Sequence, residues 1–403
     1  MFLLNTHPDH NTALAPVDAE LMGTAGAREV ERFLKFREDA VATPLVALPA
    51  LAGVLGVGTI HVKDEGQRLD LGSFKALGGA YAVIRLVLEE AARHFERDVG
   101  FADLDRPSVR AVAANMTFAC ATDGNHGRSV AQGSQRVGAR SVIFVHGGVS
   151  DERVAAIARF GAEIVRVDGT YDETVAEAAH VAEQNGWSIV SDTSWLGYER
   201  IPGLVMQGYT AIAHEALDQL DRPPTHVFVQ AGVGGIAAAL AGHFAETLGG
   251  DRPTFVVVEP ARAACILATA RIGRVTKVDH GEPTVMAMLE CYEPSLVAWR
   301  VLSRVADAFM TVEEEDAVAA MNRLARPAGG DPAIVSGESG CVGLAGLARA
   351  LAEPDLRAAL RLDPSSRILL VNTEGATDLG RYEQLVGASP AVVAGRNREV
   401  TPA

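Results

Sequence analysis

Short β-rich runs alternate with longer helical patterns along almost the whole chain, and this alternation constrains the fold more than any other feature. Thr59-Ile60-His61-Val62 reads as a strand and Phe74 to Leu88 as a helix. Further strands are predicted at Ala111 to Met116, Ser141 to Val145, Glu163 to Val167 and Ser188 to Val190, with helices at Arg128 to Val137, Asp151 to Phe160 and Asp172 to Gln184. Later strands fall at His226 to Gln230, Thr254 to Val258 and Arg367 to Val371, and helices at Ile236 to Leu248 and Glu313 to Leu324. Such a pattern builds βαβ units, and hence mostly parallel sheets with helices on both faces. The 403 residues suffice for two or three domains at roughly 150 residues each. No linker splits the chain, so the fold class expected is α/β with two interleaved domains, each a mostly parallel twisted sheet flanked by helices.

Charge and composition then narrow the function. A formal net charge of −15 leaves no basic footprint for nucleic acid. No run approaches the ~18 apolar residues of a membrane helix, and the start, Met1 to His10, lacks the basic region of a signal peptide. The four cysteines, Cys120, Cys265, Cys291 and Cys341, show no metal-ligand spacing, so no metal site is expected. They read as reduced thiols, with a Cys265–Cys291 bridge the one pairing left open. A soluble, cytoplasmic enzyme acting on a small molecule is the expectation. The polar stretch Arg271 to Pro283 reads as a mobile entrance loop, and Ala388 to Ala403 as a loosely held tail.

Lysine is scarce: Lys35, Lys63, Lys75 and Lys277 are the only four among the 36 Lys and Arg residues. Covalent amine catalysis needs a lysine that loses its proton readily. Lys35 lies on a charged helix face, Lys63 beside Asp64 and Glu65, which would keep it charged, and Lys277 in the polar loop. Lys75 alone stands in an apolar setting, Leu71-Gly72-Ser73-Phe74-Lys75-Ala76-Leu77-Gly78-Gly79. With Ser73 as N-cap it would occupy a first helical turn, where the helix dipole favours the neutral amine. Gly78 and Gly79 suggest close packing against a backbone or ligand.

Two other segments pair a strand end with a helix start. Thr122-Asp123-Gly124-Asn125-His126-Gly127 forms one elbow and Gln230-Ala231-Gly232-Val233-Gly234-Gly235-Ile236 the other. Both suit an anion at a helix N-terminus, although each alone is compatible with a plain turn. Together with Lys75 they meet the demands of pyridoxal 5'-phosphate: a lysine, a phosphate cup and a partner for the ring nitrogen.

On these strings, and on Lys63-Asp64-Glu65, Ser191-Asp192-Thr193-Ser194-Trp195-Leu196-Gly197-Tyr198, Met206-Gln207-Gly208-Tyr209 and Val371-Asn372-Thr373-Glu374-Gly375, the chain resembles the tryptophan-synthase-β-like, fold type II family of pyridoxal-phosphate enzymes from about Thr43 to Asp378. The resemblance implies that Lys75 binds the cofactor covalently, with Phe74 near its ring and Asn125 on its phenolic oxygen. Gly232, Val233, Gly234, Gly235 and Ile236 would cup the phosphate, Gly235 standing where relatives often carry serine. Thr373 would face the ring nitrogen, leaving it largely unprotonated, as suits β-elimination. The resemblance further implies a homodimer, with a larger cofactor-binding domain from residues 1–87 and 187–403 and a smaller mobile domain from 88–186. No regulatory domain is expected after Asp378.

Hydroxyamino-acid dehydratases of this family usually carry Ser or Ala where this chain has Asp123. A carboxylate there can pair with a second ammonium or move protons, and Asp192 offers another. The implied reaction is α,β-elimination of 2,3-diaminopropionate, with Lys75, Asp123 and Asp192 as the catalytic groups. A serine/threonine dehydratase, a hydroxyaspartate lyase and a non-catalytic ligand-binding protein on the same scaffold remain the alternatives, and a turn residue remains the plain reading of Asp123.

Overall fold

The computed structural model describes residues 1–37, 41–122, 124–169 and 171–399. Its strands run, in chain order, β1 (Phe2–Leu4), β2 (Leu45–Ala47), β3 (Thr59–Asp64), β4 (Thr117–Ala121), β5 (Arg140–His146), β6 (Glu163–Val167), β7 (Ser188–Ile189), β8 (His226–Gln230), β9 (Thr254–Pro260), β10 (Ala308–Val312) and β11 (Arg367–Asn372). They form two sheets, one in each of two compact units. The larger unit comprises Met1–Thr24, Ala42–Phe74 and Ile212–Ala403, the smaller Ala25–Val41 and Lys75–Ala211. The chain thus enters each unit more than once, as the absence of a linker implied.

In the larger unit the strand order is β1-β10-β9-β8-β11-β3-β2. The inner pairings are parallel, and the short edge strands β1 and β2 run antiparallel to β10 and β3. β8 and β10 are buried at every residue, so their apolar stretches, Val227-Phe228-Val229 and Ala308-Phe309-Met310, are continuous rather than alternating. Phe228, Val258 and Met310 pack there with Met321, Leu344 and Leu347 from helices Glu314–Ala325 and Val342–Ala352. One polar cluster sits within this unit. Lys63 Nζ donates to Glu215 Oε2 at 2.7 Å and to Thr43 O at 2.7 Å, and Arg68 donates to both Glu65 and Glu215. Two cations balance two carboxylates, the condition for tolerating buried charge. Lys63 is fully buried; burial lowers its pKa, an effect its carboxylate partners oppose.

The smaller unit carries the wholly parallel sheet β6-β5-β4-β7. Helix Lys75–Phe95 packs along helix Asn125–Val137, and small residues let the backbones meet: a Cβ on Gly133 would stand 2.7 Å from Ala80 Cα. Gly78 serves the same end, since a Cβ there would lie 2.5 Å from the Tyr209 ring, and one on Gly208 would lie 2.8 Å from Leu77 O. The boundaries between the compact units fall at Thr24/Ala25, Val41/Ala42, Phe74/Lys75 and Ala211/Ile212.

Two local expectations are corrected, and the cysteines are as expected. Residues 111–116 are not a strand: Pro107–Ala113 is helical, and β4 follows at Thr117–Ala121. Pro107 starts that helix at its first turn, and Val109 and Ala113, one helical repeat apart, turn inward. The segment after Ala388 is not a loose tail through residue 399, because helix Pro390–Glu399 docks by burying Val393 and by an exchange of hydrogen bonds between Asn397 and the Ala333 backbone at 2.7 and 2.9 Å. All four cysteines are thiols, so the Cys265–Cys291 bridge does not form. No helix among the described residues is long and apolar enough to cross a membrane.

Candidate active site

The sequence-predicted residues divide between the two units. In the smaller unit, Lys75 is the first residue of its 21-residue helix, as expected. Ser73 does not cap it: Ser73 pairs with Glu374 in an isolated bridge of the larger unit, and its buried hydroxyl has no partner. The amine is not left in a purely apolar setting either, because Lys75 Nζ donates to Asp192 Oδ2. Burial is the largest single influence on Asp192 and works against its ionisation, but the charge and hydrogen bond of Lys75, with smaller lowering influences beside them, together hold the carboxyl well below the usual carboxylate range. The two therefore form an ion pair, a setting that the apolar sequence around Lys75 does not show.

The loop that carries Asp192 is rigidly built. Tyr198 donates to Ile189 O at 2.7 Å and accepts from Ser191 N at 3.1 Å, while Trp195 stacks on its ring at a centroid distance of 4.2 Å. The neighbouring elbow rises from β4. Thr122 Oγ1 accepts from both Gly124 N and Gly127 N at 3.0 Å, closing the first turn of the Asn125 helix. Gly124 has φ +148, a left-handed conformation that L side chains rarely adopt, and a Cβ on Gly127 would meet Thr122 Cγ2 at 2.4 Å. Both glycines of the string are thus required. Asn125 is buried at the helix start. His126 Nε2 donates to Val190 O at 2.7 Å, and its Nδ1 is a buried acceptor without a partner. Burial lowers the imidazole pKa and keeps the ring neutral. Asp123 lies outside the described residues.

In the larger unit, β8 ends at Gln230 and the glycine string turns into helix Gly235–Leu248. Gly234 is left-handed at φ +96, and a Cβ on Gly232 would lie 2.8 Å from Cys291 Sγ. Only backbone fits there, which leaves N–H groups at a helix N-terminus as the donors, the arrangement that holds phosphate. Gly235 is the first helical residue, so an anion there would meet backbone donors and no side-chain hydroxyl at that position. Thr373 follows β11 and is buried. Its N–H donates to Gly340 O at 3.1 Å, its carbonyl accepts from Phe74 N at 2.9 Å, and its Oγ1 accepts from Gln230 Nε2 at 2.8 Å. Phe74 is thereby anchored to the strand end that bears Thr373.

The segment Ser336-Gly337-Glu338-Ser339-Gly340 and the side chain of Gln230 escaped the sequence reading. A buried amide at the end of the strand His226-Val227-Phe228-Val229-Gln230, directly after three apolar residues, was the available signal, because a buried polar group requires partners. The donor set fits pyridoxal phosphate: an amine at a helix start, a backbone anion cup that excludes side chains, and a buried hydroxyl beside it in the sheet order.

Residues 37–374 match the family described as pyridoxal-phosphate dependent enzyme, and the chain belongs to that family, with pyridoxal phosphate as its cofactor. It is 40% identical over 358 residues to the diaminopropionate ammonia-lyase of Escherichia coli strain K12, covering 87% of this chain and 89% of that one. Two crystal structures of the Escherichia coli enzyme, each covering 96% of both chains at 36% identity, superpose with TM-scores of 0.85 and 0.86. One holds an aminoacrylate–pyridoxal-phosphate azomethine reaction intermediate and the other D-serine. Within its family the chain therefore groups with the diaminopropionate ammonia-lyases, enzymes that act on carbon–nitrogen bonds.

Proposed function

We propose that the chain converts 2,3-diaminopropionate and water into pyruvate and two ammonia by α,β-elimination, as a cytoplasmic homodimer. The observation that carries the substrate is the Lys75–Asp192 pair. Once Lys75 is engaged by cofactor or acts as a neutral base, Asp192 loses its counter-ion. A substrate with a second ammonium supplies a new one; serine does not.

Pyridoxal phosphate, when bound, supplies a conjugated ring that takes up the electron pair left as Cα loses its proton. The residues of this chain do the rest. The backbone donors of Gly232 to Ile236 hold the phosphate, Asn125 holds the phenolic oxygen, and Thr373 meets the ring nitrogen, with Phe74 packed near the ring. Lys75 first attaches the cofactor and then, displaced by the substrate amine, takes the Cα proton of one enantiomer as a free base. Asp123 serves the other enantiomer. Asp192 holds the β-ammonium until it departs as ammonia. The remaining 2-aminoacrylate hydrolyses to pyruvate and the second ammonia.

Pyruvate release from D- and L-2,3-diaminopropionate, with D- and L-serine alongside, tests this reading. Diaminopropionate should be turned over far faster than serine, and a preference for serine would move the chain to the hydroxyamino-acid dehydratases. Sedimentation of the holoenzyme checks the dimer.

A further inference from the structure

Gln230 is fully buried at the end of β8, beside β11. Its amide orientation is settled by its surroundings. Oε1 accepts from Gly343 N at 3.1 Å, in the first turn of helix Val342–Ala352. Nε2 lies 2.5 Å from Gly340 O, 3.0 Å from Val371 O and 2.8 Å from Thr373 Oγ1, all of which can accept. A flipped amide would set oxygen against two carbonyl oxygens and N–H against N–H. Gly343 makes the arrangement possible, because a Cβ there would lie 2.5 Å from Phe228 O and 3.2 Å from Gln230 Oε1. The glycine lets a helix N-terminus reach the strand and pin the amide.

The consequence falls on Thr373. A hydroxyl has one proton and two acceptor sites. The two protons of the Gln230 amide are shared among three acceptors, Thr373 Oγ1, Gly340 O and Val371 O, and Gly340 O also receives Thr373 N. A hydroxyl that accepts from such a donor is polarised to donate onward. We infer that Gln230 is a positioning residue: by donating into Thr373 Oγ1 it turns that hydroxyl into a donor toward the pyridine nitrogen of the cofactor, and so holds the nitrogen unprotonated. This rests on the reading of Thr373 as the ring-nitrogen partner. It assigns a chemical purpose to a residue that touches neither substrate nor cofactor, since an unprotonated ring is a weaker electron sink and favours departure of a β-substituent over transamination.

The test is the ¹⁵N resonance of ring-labelled pyridoxal phosphate on the holoenzyme. The wild type should show the low-field position of an unprotonated pyridine nitrogen; a pyridinium position overturns the inference without any variant. Gln230→Met keeps the length of the side chain and removes the donor. It should move the resonance toward the protonated form and weaken cofactor binding about three- to tenfold, the worth of one hydrogen bond. If that variant does not fold, Gln230→Glu serves in its place, its carboxylate accepting the threonine proton and driving the nitrogen to pyridinium. Thr373→Val separates the two levels. Should it leave the resonance unmoved, Thr373 is not the ring partner and the underlying reading fails. Should it move the resonance while Gln230→Met does not, Thr373 stands and the role of Gln230 is refuted.

Discussion

Replacing Asp192 by Asn removes one charge and almost no volume, and so isolates what the carboxylate does. Breaking a buried ion pair by deleting one partner costs about 3–5 kcal/mol. Here the Lys75 and Asp192 side chains keep 23% and 11% of their exposure, and solvent screening trims the figure to about 2–3 kcal/mol. At 1.4 kcal/mol per decade, Asp192→Asn should lower kcat/KM for 2,3-diaminopropionate roughly 30- to 150-fold. L-Serine, with no β-ammonium to hold, should lose less than about threefold. Pyruvate release read through a coupled dehydrogenase measures both, and thermal unfolding of the holoenzyme shows that the comparison is made on folded protein. An equal loss for the two substrates would mean that Asp192 only orients Lys75, and the argument for a diammonium substrate would fall with it.

Lys75→Ala should abolish pyruvate formation and the visible absorbance of lysine-bound cofactor while circular dichroism stays unchanged; turnover above a trace refutes its role. Asp123→Asn should leave cofactor absorbance intact and slow diaminopropionate turnover by ~10²–10⁴-fold, the span of a general acid–base group, most for one enantiomer; a small, uniform loss makes it a turn residue. Gly78→Ala gains about 1 kcal/mol of helix propensity, but its Cβ would meet the Tyr209 ring at 2.5 Å and Val205 Cγ1 at 2.7 Å. Overpacking of about 1–3 kcal/mol should prevail, and a raised Tm would contradict the close approach. Burial pushes the Glu259 carboxyl up from 4.5 to about 8, against the hydrogen bonds from Ile266 N and Leu267 N. Below pH 4.5 it is protonated folded or unfolded. As pH rises to 8 only the unfolded chain ionises, so its contribution declines, by about 1–3 kcal/mol between pH 6 and 8. Urea unfolding of the wild type should show this decline relative to Glu259→Gln, and parallel pH profiles would refute it.

Much of this was legible in the sequence because it rests on local physics. β6 and β8 fall at their predicted residues, since each is a short run rich in β-branched and aromatic residues and bounded by turns. Lys75 stands out by elimination, and the two glycine elbows by small residues between a strand and a helix. What was not legible depends on partners remote in the chain. The Ala111 to Met116 run is an exception, since its helix is started locally by Pro107 and that signal was present in the sequence. The tail looks loose until Val393 and Asn397 find the larger unit. Lys75 looks uncharged until Asp192, 117 residues on, meets its amine.

The same distinction explains why the site residues could be found as separate strings but not as a set. In each sheet they follow the carboxyl ends of neighbouring parallel strands. Gly232 to Ile236 follow β8 and Thr373 follows β11, its neighbour; Asn125 follows β4 and Asp192 follows β7, its neighbour. Parallel strands deliver all their outgoing loops to one edge of the sheet, where open α/β folds place their ligands. Strand order therefore decides which loops share an edge, and strand order is set by long-range pairing that no window of sequence contains. Gln230 is the sharpest case. As the last residue of β8 it faces the end of β11, so its amide reaches Thr373 across 143 positions of sequence. Without that adjacency it would be a costly buried amide; with it, every polar atom of the side chain has a partner, and the direction of one hydroxyl proton is determined.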